Sequence, residues 1–312
     1  MSKFTLYIFA YLLPLNILAF SQIETDSVKL WNYEGTTALN FSQVSFTHWA
    51  AGGQSSISAT GLVKFRFSYK DSSNVWDNSI DMAYGVIRQG NVGNLAKSDD
   101  RMELNSSYGW SAFKKWYYNM SINLKSQAAA GYKTPVDTLM ISDFLAPAYL
   151  TLSIGMSHSN TDNGFGFQVL PLSGKITYVN NQSLANAGAF GVDEALFDDE
   201  GNLLQSSSRK RSEFGGSMKF QYKNDIWENV SLDTKATLFS NYKDKASSID
   251  VDWQLLVLMK INRYLTANIN SHLIYDEDVD IALDLDNDGE FESSGPRVQF
   301  KELFGLGLSY SF

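Results

Sequence analysis

Apolar and polar residues alternate with a period of two along most of the chain, from about residue 35 onward. The last segment, residues 298–312, shows the pattern most clearly. Alternation sends the two sets of side chains to opposite faces of a β-strand. Ordinary strands have about five or six residues, whereas a tilted strand that spans a membrane needs about ten. One parity of this segment is apolar, interrupted by Glu302: Val298, Phe300, Phe304, Leu306, Leu308, Tyr310 and Phe312.

Repetition of this pattern predicts an all-β fold, a transmembrane antiparallel β-barrel of about 12 strands closed by the C-terminal strand ending at Phe312. The connections after even-numbered strands are short and the long ones follow odd-numbered strands, as in bacterial outer-membrane barrels. Aromatic residues gather at the short turns, which indicates a girdle at the membrane interface. The predicted strands are residues 36–46, 54–69, 75–89, 100–112, 115–130, 147–158, 164–179, 211–223, 227–242, 248–261, 263–275 and 298–312.

The N-terminus has the features of an export signal. Lys3 precedes an apolar stretch from Phe4 to Phe20, and small residues favour cleavage before Gln22. A retained membrane anchor is the alternative, but the stretch is short for a spanning helix and Pro14 interrupts it. We therefore expect three regions: a cleaved signal peptide at 1–21, a short periplasmic segment at 22–34 and an outer-membrane barrel at 35–312.

Composition excludes several classes of function. The formal net charge is -9 and the pI is about 4.9, which argues against nucleic-acid binding because that requires a basic field. Cysteine is absent, so thiolate metal sites, disulfides and a lipoprotein anchor are excluded. A mean hydropathy of -0.20 fits a barrel wall that is apolar outside and polar inside.

A family resemblance rests on the segment Ser42-Gln43-Val44-Ser45-Phe46-Thr47-His48-Trp49-Ala50-Ala51-Gly52-Gly53. It resembles the opening motif of domain-of-unknown-function family 3078, a Bacteroidetes family, and the similarity extends over residues 31–312. The resemblance implies an outer-membrane barrel in a Gram-negative bacterium. It supplies no activity, cofactor or functional residue.

One acidic segment matches the first half of a calcium-binding loop, in which alternate carboxylates precede a glycine. Its candidate ligands are Asp284, Asp286, Asp288, Glu290 and Glu292. Gly295 stands where such a loop needs a bidentate glutamate. Two interpretations therefore stay open, a structural calcium ion and a solvated acidic outer loop. No other cofactor is expected.

Charged residues on the polar parity predict a mildly basic lumen. The cations singled out are Lys64, Arg66, Arg101, Lys125 and Lys260. An anion-preferring pore would use such fixed charges to select ions. Alternatively, opposite charges could pair across the strands and close the lumen. The sequence leaves both interpretations open.

These features lead to a non-enzymatic outer-membrane barrel, with a small anion-preferring pore or passive transporter as the first hypothesis. The second is a structural or accessory subunit of an assembly or export complex. A third, a hydrolase, would depend on His272 or His48, but no Gly-x-Ser-x-Gly elbow occurs. The expected partners are outer-membrane lipid, lipopolysaccharide and the barrel assembly machinery during biogenesis, and no nucleic acid.

Overall fold

The computed structural model describes residues 30–45, 55–90, 95–132, 139–160, 163–244, 246–283 and 293–311. The predicted signal peptide, most of the predicted periplasmic segment and Phe312 lie outside these residues. No helix in the described ranges is long and apolar enough to cross a membrane.

Eighteen β-strands, one short α-helix and one short 3-10 helix (Ala189–Gly191) make up the described fold. Twelve long strands form the barrel, and six short ones lie in the long connections. In chain order the strands are β1 (Trp31–Val44), β2 (Ser56–Lys70), β3 (Asn74–Gln89), β4 (Ala96–Phe113), β5 (Trp116–Ser126), β6 (Gly131–Tyr132), β7 (Met140–Ser142), β8 (Ala148–Asn160), β9 (Phe165–Tyr178), β10 (Leu196–Phe197), β11 (Leu203–Gln205), β12 (Lys210–Trp227), β13 (Val230–Asn241), β14 (Asp250–Lys260), β15 (Leu265–Tyr275), β16 (Asp280–Leu283), β17 (Ser293–Pro296) and β18 (Gln299–Ser311). Helix α1 (Gln182–Asn186) precedes β10.

The long strands close into one barrel in the order β1-β18-β15-β14-β13-β12-β9-β8-β5-β4-β3-β2. All neighbours are antiparallel. The predicted twelve-stranded barrel, closed by the C-terminal strand, is therefore confirmed. Its start was placed too late, because β1 begins at Trp31 and pairs with β2 from there. Trp31 and Tyr33 already continue the outward parity of this strand.

The two faces of the wall differ as the alternation predicts. Outward positions on nine of the twelve barrel strands carry large apolar side chains that are exposed on the outside of the closed sheet, for example Phe41, Met120, Leu152, Phe304 and Leu306. The outward apolar side chains of β13, β14 and β15 are partly exposed. Inward positions carry buried polar or charged side chains, among them Asn40, Thr60, Glu103, Asn119 and Asn268. Such a cylinder suits an apolar surrounding medium and encloses a polar interior.

Aromatic side chains cluster near the short turns. The Trp31 ring lies 5.2 Å from the Tyr69 ring and 5.9 Å from the Trp76 ring, measured between centroids. Near the turn that joins β8 to β9, the Trp116 and His158 rings are 5.4 Å apart. Rings of this kind suit the membrane–water interface because one edge is apolar and the other is polar.

The turn between β2 and β3 depends on Asp71. Its carboxylate accepts hydrogen bonds from the backbone N–H groups of Ser73 and Asn74, at 2.7 and 2.6 Å. These backbone bonds, together with the Asn74 side chain, lower the pKa of Asp71 from its usual 3.8 to about 2. The ionised carboxylate therefore stabilises the folded turn.

Replacing Asp71 with alanine is expected to lower the urea midpoint of the detergent-folded barrel above pH 5. A carboxyl whose folded pKa is depressed contributes stability above its unfolded pKa, and that contribution is lost as pH falls from about 4 to about 2. The difference in urea midpoint between wild type and Asp71→Ala should therefore shrink as the pH falls through this window. Asp71→Asn, which keeps the acceptor but does not titrate, is the matched control. A pH-independent gap between wild type and Asp71→Asn would contradict the prediction.

Gly155 of β8 lies against an irregular part of β9 where the register between the two strands shifts. A Cβ atom on Gly155 would overlap the carbonyl oxygen of Val169 and approach the Leu170 Cα to 2.7 Å. Both atoms belong to the backbone of β9, which cannot move away from the added Cβ as the end of a flexible side chain could. Gly155→Ala is therefore expected to destabilise the barrel by about 3 kcal/mol, the upper end of the range for overpacking.

The measurement for Gly155→Ala is the fraction of refolded protein that migrates as a heat-modifiable barrel on a gel. Gly174→Ala in β9 is the control, because a Cβ atom there meets nothing within 4 Å. We expect wild-type behaviour from the control and a large loss of folded protein from Gly155→Ala. Equal folding of the two variants would contradict this account.

The long connections form a compact cap. Its small apolar core joins the connection before β8 to α1 and the segment that follows it: Ala146, Val179, Leu184, Ala185 and Val192. Asn181 caps α1 by accepting from the N–H groups of Ser183 and Leu184. Together these contacts hold two long connections to each other at one end of the barrel.

Candidate functional site

The centre of the lumen contains a connected network of charged and amide side chains, with Glu103 of β4 as its hub. Glu103 is 3 % exposed. Its carboxylate lies 2.8 Å from Lys235 Nζ and 4.0 Å from Lys125 Nζ, and it accepts a hydrogen bond from Asn123 at 3.0 Å. A buried carboxylate is stable only when it is paired and hydrogen-bonded in this way.

Several contacts in the network join opposite sides of the barrel. Asp81 on β3 and Lys235 on β13 form an ion pair at 3.1 Å, and Arg101 on β4 donates to Gln254 on β14 at 2.9 Å. Around the closed barrel, five strands lie between β3 and β13 in either direction, and five lie between β4 and β14. The two walls therefore meet through their side chains across the full width of the lumen.

These distances require a flattened cross-section. A circular barrel of twelve strands about 4.8 Å apart and tilted by about 40° has a backbone diameter of about 24 Å. A lysine and an aspartate that meet at hydrogen-bond distance are together too short to span it. The wall of β2 to β5 therefore lies close to the wall of β13 and β14. A cavity of about 10 Å³ between them is lined by Lys64, Arg101, Asp233 and Lys235, among others, which is room for about one water molecule.

A second charged cluster occupies the end of the lumen beneath the cap. Lys175 Nζ of β9 lies 3.0 Å from Asp250 and 3.1 Å from Asp276. Arg211 of β12 donates to the Gly191 carbonyl at 2.9 Å and also pairs with Asp278. Because Lys175 and Arg211 occupy inward positions, the loop residues that they bind lie over the mouth of the lumen.

The five cations singled out by the sequence all occupy inward positions, in different settings. Lys64 pairs with Asp233 at 3.2 Å, and Lys125 pairs with Asp252 at 2.7 Å. Arg101 binds Gln254, as described above. Arg66 is within electrostatic reach of Asp233, and Lys260 is exposed at the short-turn end of β14. Three of the five thus belong to contacts that bridge the lumen.

Sequence reasoning missed two features of this site. Gln254 is not singled out by the sequence analysis, but its amide contacts Arg101, Glu103 and Asp252. Asp276 and Asp278, in the connection after β15, turn inward to pair with lumen cations, and the sequence analysis does not single them out. Their position directly after β15 was the only available signal.

The remaining candidate residues do not come together as an active site. His272 Nε2 lies 3.3 Å from Asp252, and no serine hydroxyl among the described residues hydrogen-bonds to its ring. His48 lies outside the described residues. So do all five candidate calcium ligands, Asp284, Asp286, Asp288, Glu290 and Glu292. Within the part of the chain that the structure covers, no group of three or more metal-ligating side chains could hold an ion.

Residues 41–132 match a family model described as "Protein of unknown function (DUF3078)". This agrees with the resemblance stated from the motif at residues 42–53, over less than half of the chain. No curated protein matches the chain.

Solved outer-membrane barrels align weakly with the structure. The translocator domain of the autotransporter NalP from Neisseria meningitidis is 9 % identical, with 92 % of this chain and 90 % of that chain covered and a TM-score of 0.33. An outer-membrane channel from Pseudomonas putida F1 is also 9 % identical, with 92 % and 99 % covered and a TM-score of 0.35. Alignments this weak support no inference about activity.

Proposed function

We propose that this chain is a non-conducting β-barrel of a Gram-negative outer membrane that serves as a structural or accessory subunit of an envelope assembly. The membrane location is supported by the chain's own surface. Exposed apolar side chains cover the outward positions, and aromatic rings cluster at the short turns. Strand pairing around the closed sheet satisfies most of its backbone hydrogen bonds internally, which lipid requires.

The observation that carries the non-conducting proposal is the set of contacts across the lumen. Four contacts join strands that lie far apart in the wall, with at least four other strands between them. These contacts are Asp81–Lys235, Arg101–Gln254, Lys64–Asp233 and Lys125–Asp252. A conducting lumen needs a water-filled path, and these side chains fill the middle of the flattened barrel. The cap adds a second barrier at the mouth.

The anion-preferring pore stays a prediction that this arrangement does not favour. An anion-selective lumen needs cations whose charge is not already neutralised. Here Lys64, Lys125, Lys175 and Lys235 each have at least one carboxylate within 4.0 Å. The fixed positive charge expected from the sequence is therefore largely compensated.

Single-channel recording of the refolded protein in planar bilayers tests the closed lumen. We expect no steady conductance from wild type. The double variant Lys64→Ser and Asp233→Ser removes both members of one cross-lumen ion pair, and it should show transient openings. Lys260→Ser, at the exposed end of β14, is the control and should stay silent. Steady anion-preferring steps in wild type would refute the proposal and support the pore.

The subunit role is tested by the native size of the tagged chain after mild extraction from its own membranes. We expect a discrete species much larger than the 34.9 kDa monomer with its detergent. A folded, silent barrel that runs only as a monomer would contradict the accessory-subunit proposal while leaving the closed lumen intact.

A further inference from the structure

We infer that the barrel has a lateral docking site at the seam between β1 and β18, and that its occupant is a β-strand of a partner polypeptide. The inference rests on the proposed subunit function and names its contact surface. Six residue pairs join β1 to β18, from Thr36 opposite Ser311 to Phe41 opposite Leu306. Every other neighbouring pair of barrel strands has at least ten.

Both strands continue beyond the last pair, but not with each other. On one side, Ser42 to Val44 of β1 stay paired with β2. On the other, Gln299 to Gly305 of β18 stay paired with β15. If the register of the seam continued, Ser42 would face Gly305 and Val44 would face Leu303, and the described strands lack these pairs. The wall therefore parts toward the long-connection end.

An open stretch of strand edge requires a partner in lipid. Each backbone N–H or C=O group left without a hydrogen bond in hydrocarbon costs several kcal/mol. Lipid tails supply no hydrogen bonds. A strand supplies a row of donors and acceptors at the spacing that a sheet edge needs, which is the basis of β-strand addition.

A charged side chain marks the outer surface of the same stretch. Glu302 occupies an outward position of β18 and is exposed, between Phe300 and Phe304, which are 58 % and 66 % exposed. A lone carboxylate among lipid-facing aromatic residues is unfavourable. It favours an occupant that brings a lysine, arginine or hydroxyl group to this point.

On the lumen side, two amide side chains cover β18 near the point where the pairing between β1 and β18 stops. Asn40 of β1 and Asn268 of β15 reach across β18 and exchange amide hydrogen bonds at 2.8 and 3.4 Å. They meet over Gly305, where an added Cβ would lie 2.7 Å from the Asn40 side chain. The occupant would thus lie in the wall, and the amide pair would separate it from the lumen.

Site-specific photocrosslinking in cells that produce the tagged full-length chain tests this inference. A benzophenone amino acid replaces Phe300 or Phe304 at the seam. The control is Leu152 on β8, which five strands separate from β18 in either direction around the barrel; Leu152 is also exposed on the outer face. We expect a protease-sensitive polypeptide adduct at both seam positions and at least tenfold less at Leu152.

Two further readouts make the result specific to a strand. Moving the probe from Phe300 to Phe304 should shift the crosslinked residue of the partner by four positions, because paired strands advance together. Glu302→Lys should reduce the adduct at least fivefold, and Glu302→Gln should reduce it less. A lipid adduct, an adduct with a second copy, an adduct within the chain, or no adduct would overturn the inference. The bilayer recordings do not depend on the crosslinking results. A negative crosslinking result would therefore overturn the docking site without affecting the proposal of a closed lumen.

Discussion

Glu103→Leu is expected to destabilise the barrel strongly, because it removes the hub of the charged network in the lumen. The substitution leaves Lys235 and Lys125 without the carboxylate that both of them face. It also removes one of the two acceptors of the Asn123 amide, the other being the Asn105 side chain. Removing one partner of a buried ion pair typically costs about 3–5 kcal/mol. We expect about 3 kcal/mol, because Asp81 still pairs with Lys235 and Asp252 still pairs with Lys125.

Equilibrium unfolding in urea, followed by tryptophan fluorescence of the detergent-folded protein, measures this effect. Glu103→Leu combined with Lys235→Met removes both members of the pair and should recover more than half of the loss. Lys260→Met, at an exposed inward position near the short turns, should change the midpoint little. If the single and double variants were equally unstable, the ion pair would not be the source of the effect.

The alternation of side chains was sufficient to predict the barrel, because a period of two fixes which face each residue occupies. Lys64, Arg101 and Lys125 were placed in the lumen on this basis, and the structure puts them there. Their partners could not be predicted in the same way. Parity says that Lys235 and Asp81 both point inward, but only the flattened shape of the closed sheet brings them to 3.1 Å.

Two other features depend on long-range geometry that local patterns do not record. The alternation slips near Gln43 of β1 and at Glu302 and Leu303 of β18, but such local slips do not show that the two strands separate above Phe41. The sequence shows Glu302 as an exception on the apolar parity. Its position at an unpaired strand edge becomes clear only from the way in which β1, β15 and β18 pair. Asp276 and Asp278 have the composition of a solvated loop, and they reverse direction to meet Lys175 and Arg211.

Lys97→Met is expected to release the connection between β5 and β8 from the end of the barrel wall. The Lys97 ammonium group donates to Asp100 at 2.9 Å, Gln127 at 2.9 Å, the Ala129 carbonyl at 2.8 Å and Ser142 at 3.2 Å. Four acceptors on two strands and one connection therefore depend on one cation. The Asp100 side chain, only 2 % exposed, would lose its counter-charge.

The loss should be local, because the backbone pairs of β4 with β3 and β5 do not involve the Lys97 side chain. Breaking the buried pair costs about 3–5 kcal/mol, which is large for a connection whose only described residue in the small apolar core of the cap is Ala146. Asp100 also accepts hydrogen bonds from the N–H groups of Ala128 and Ala129, both at 2.9 Å. In Lys97→Met these two amides should exchange with deuterium at least tenfold faster.

Hydrogen exchange with limited proteolysis of the folded protein separates this local effect from global destabilisation. We expect new cleavage in residues 127–132 and an unchanged urea midpoint for the barrel. Lys243→Met, which alters an exposed lysine in another connection, should leave both readouts unchanged. Lys97→Met with Asp100→Asn removes both charges and should restore part of the protection. Unchanged exchange at Ala128 and Ala129 in Lys97→Met would mean that backbone contacts alone hold this connection in place.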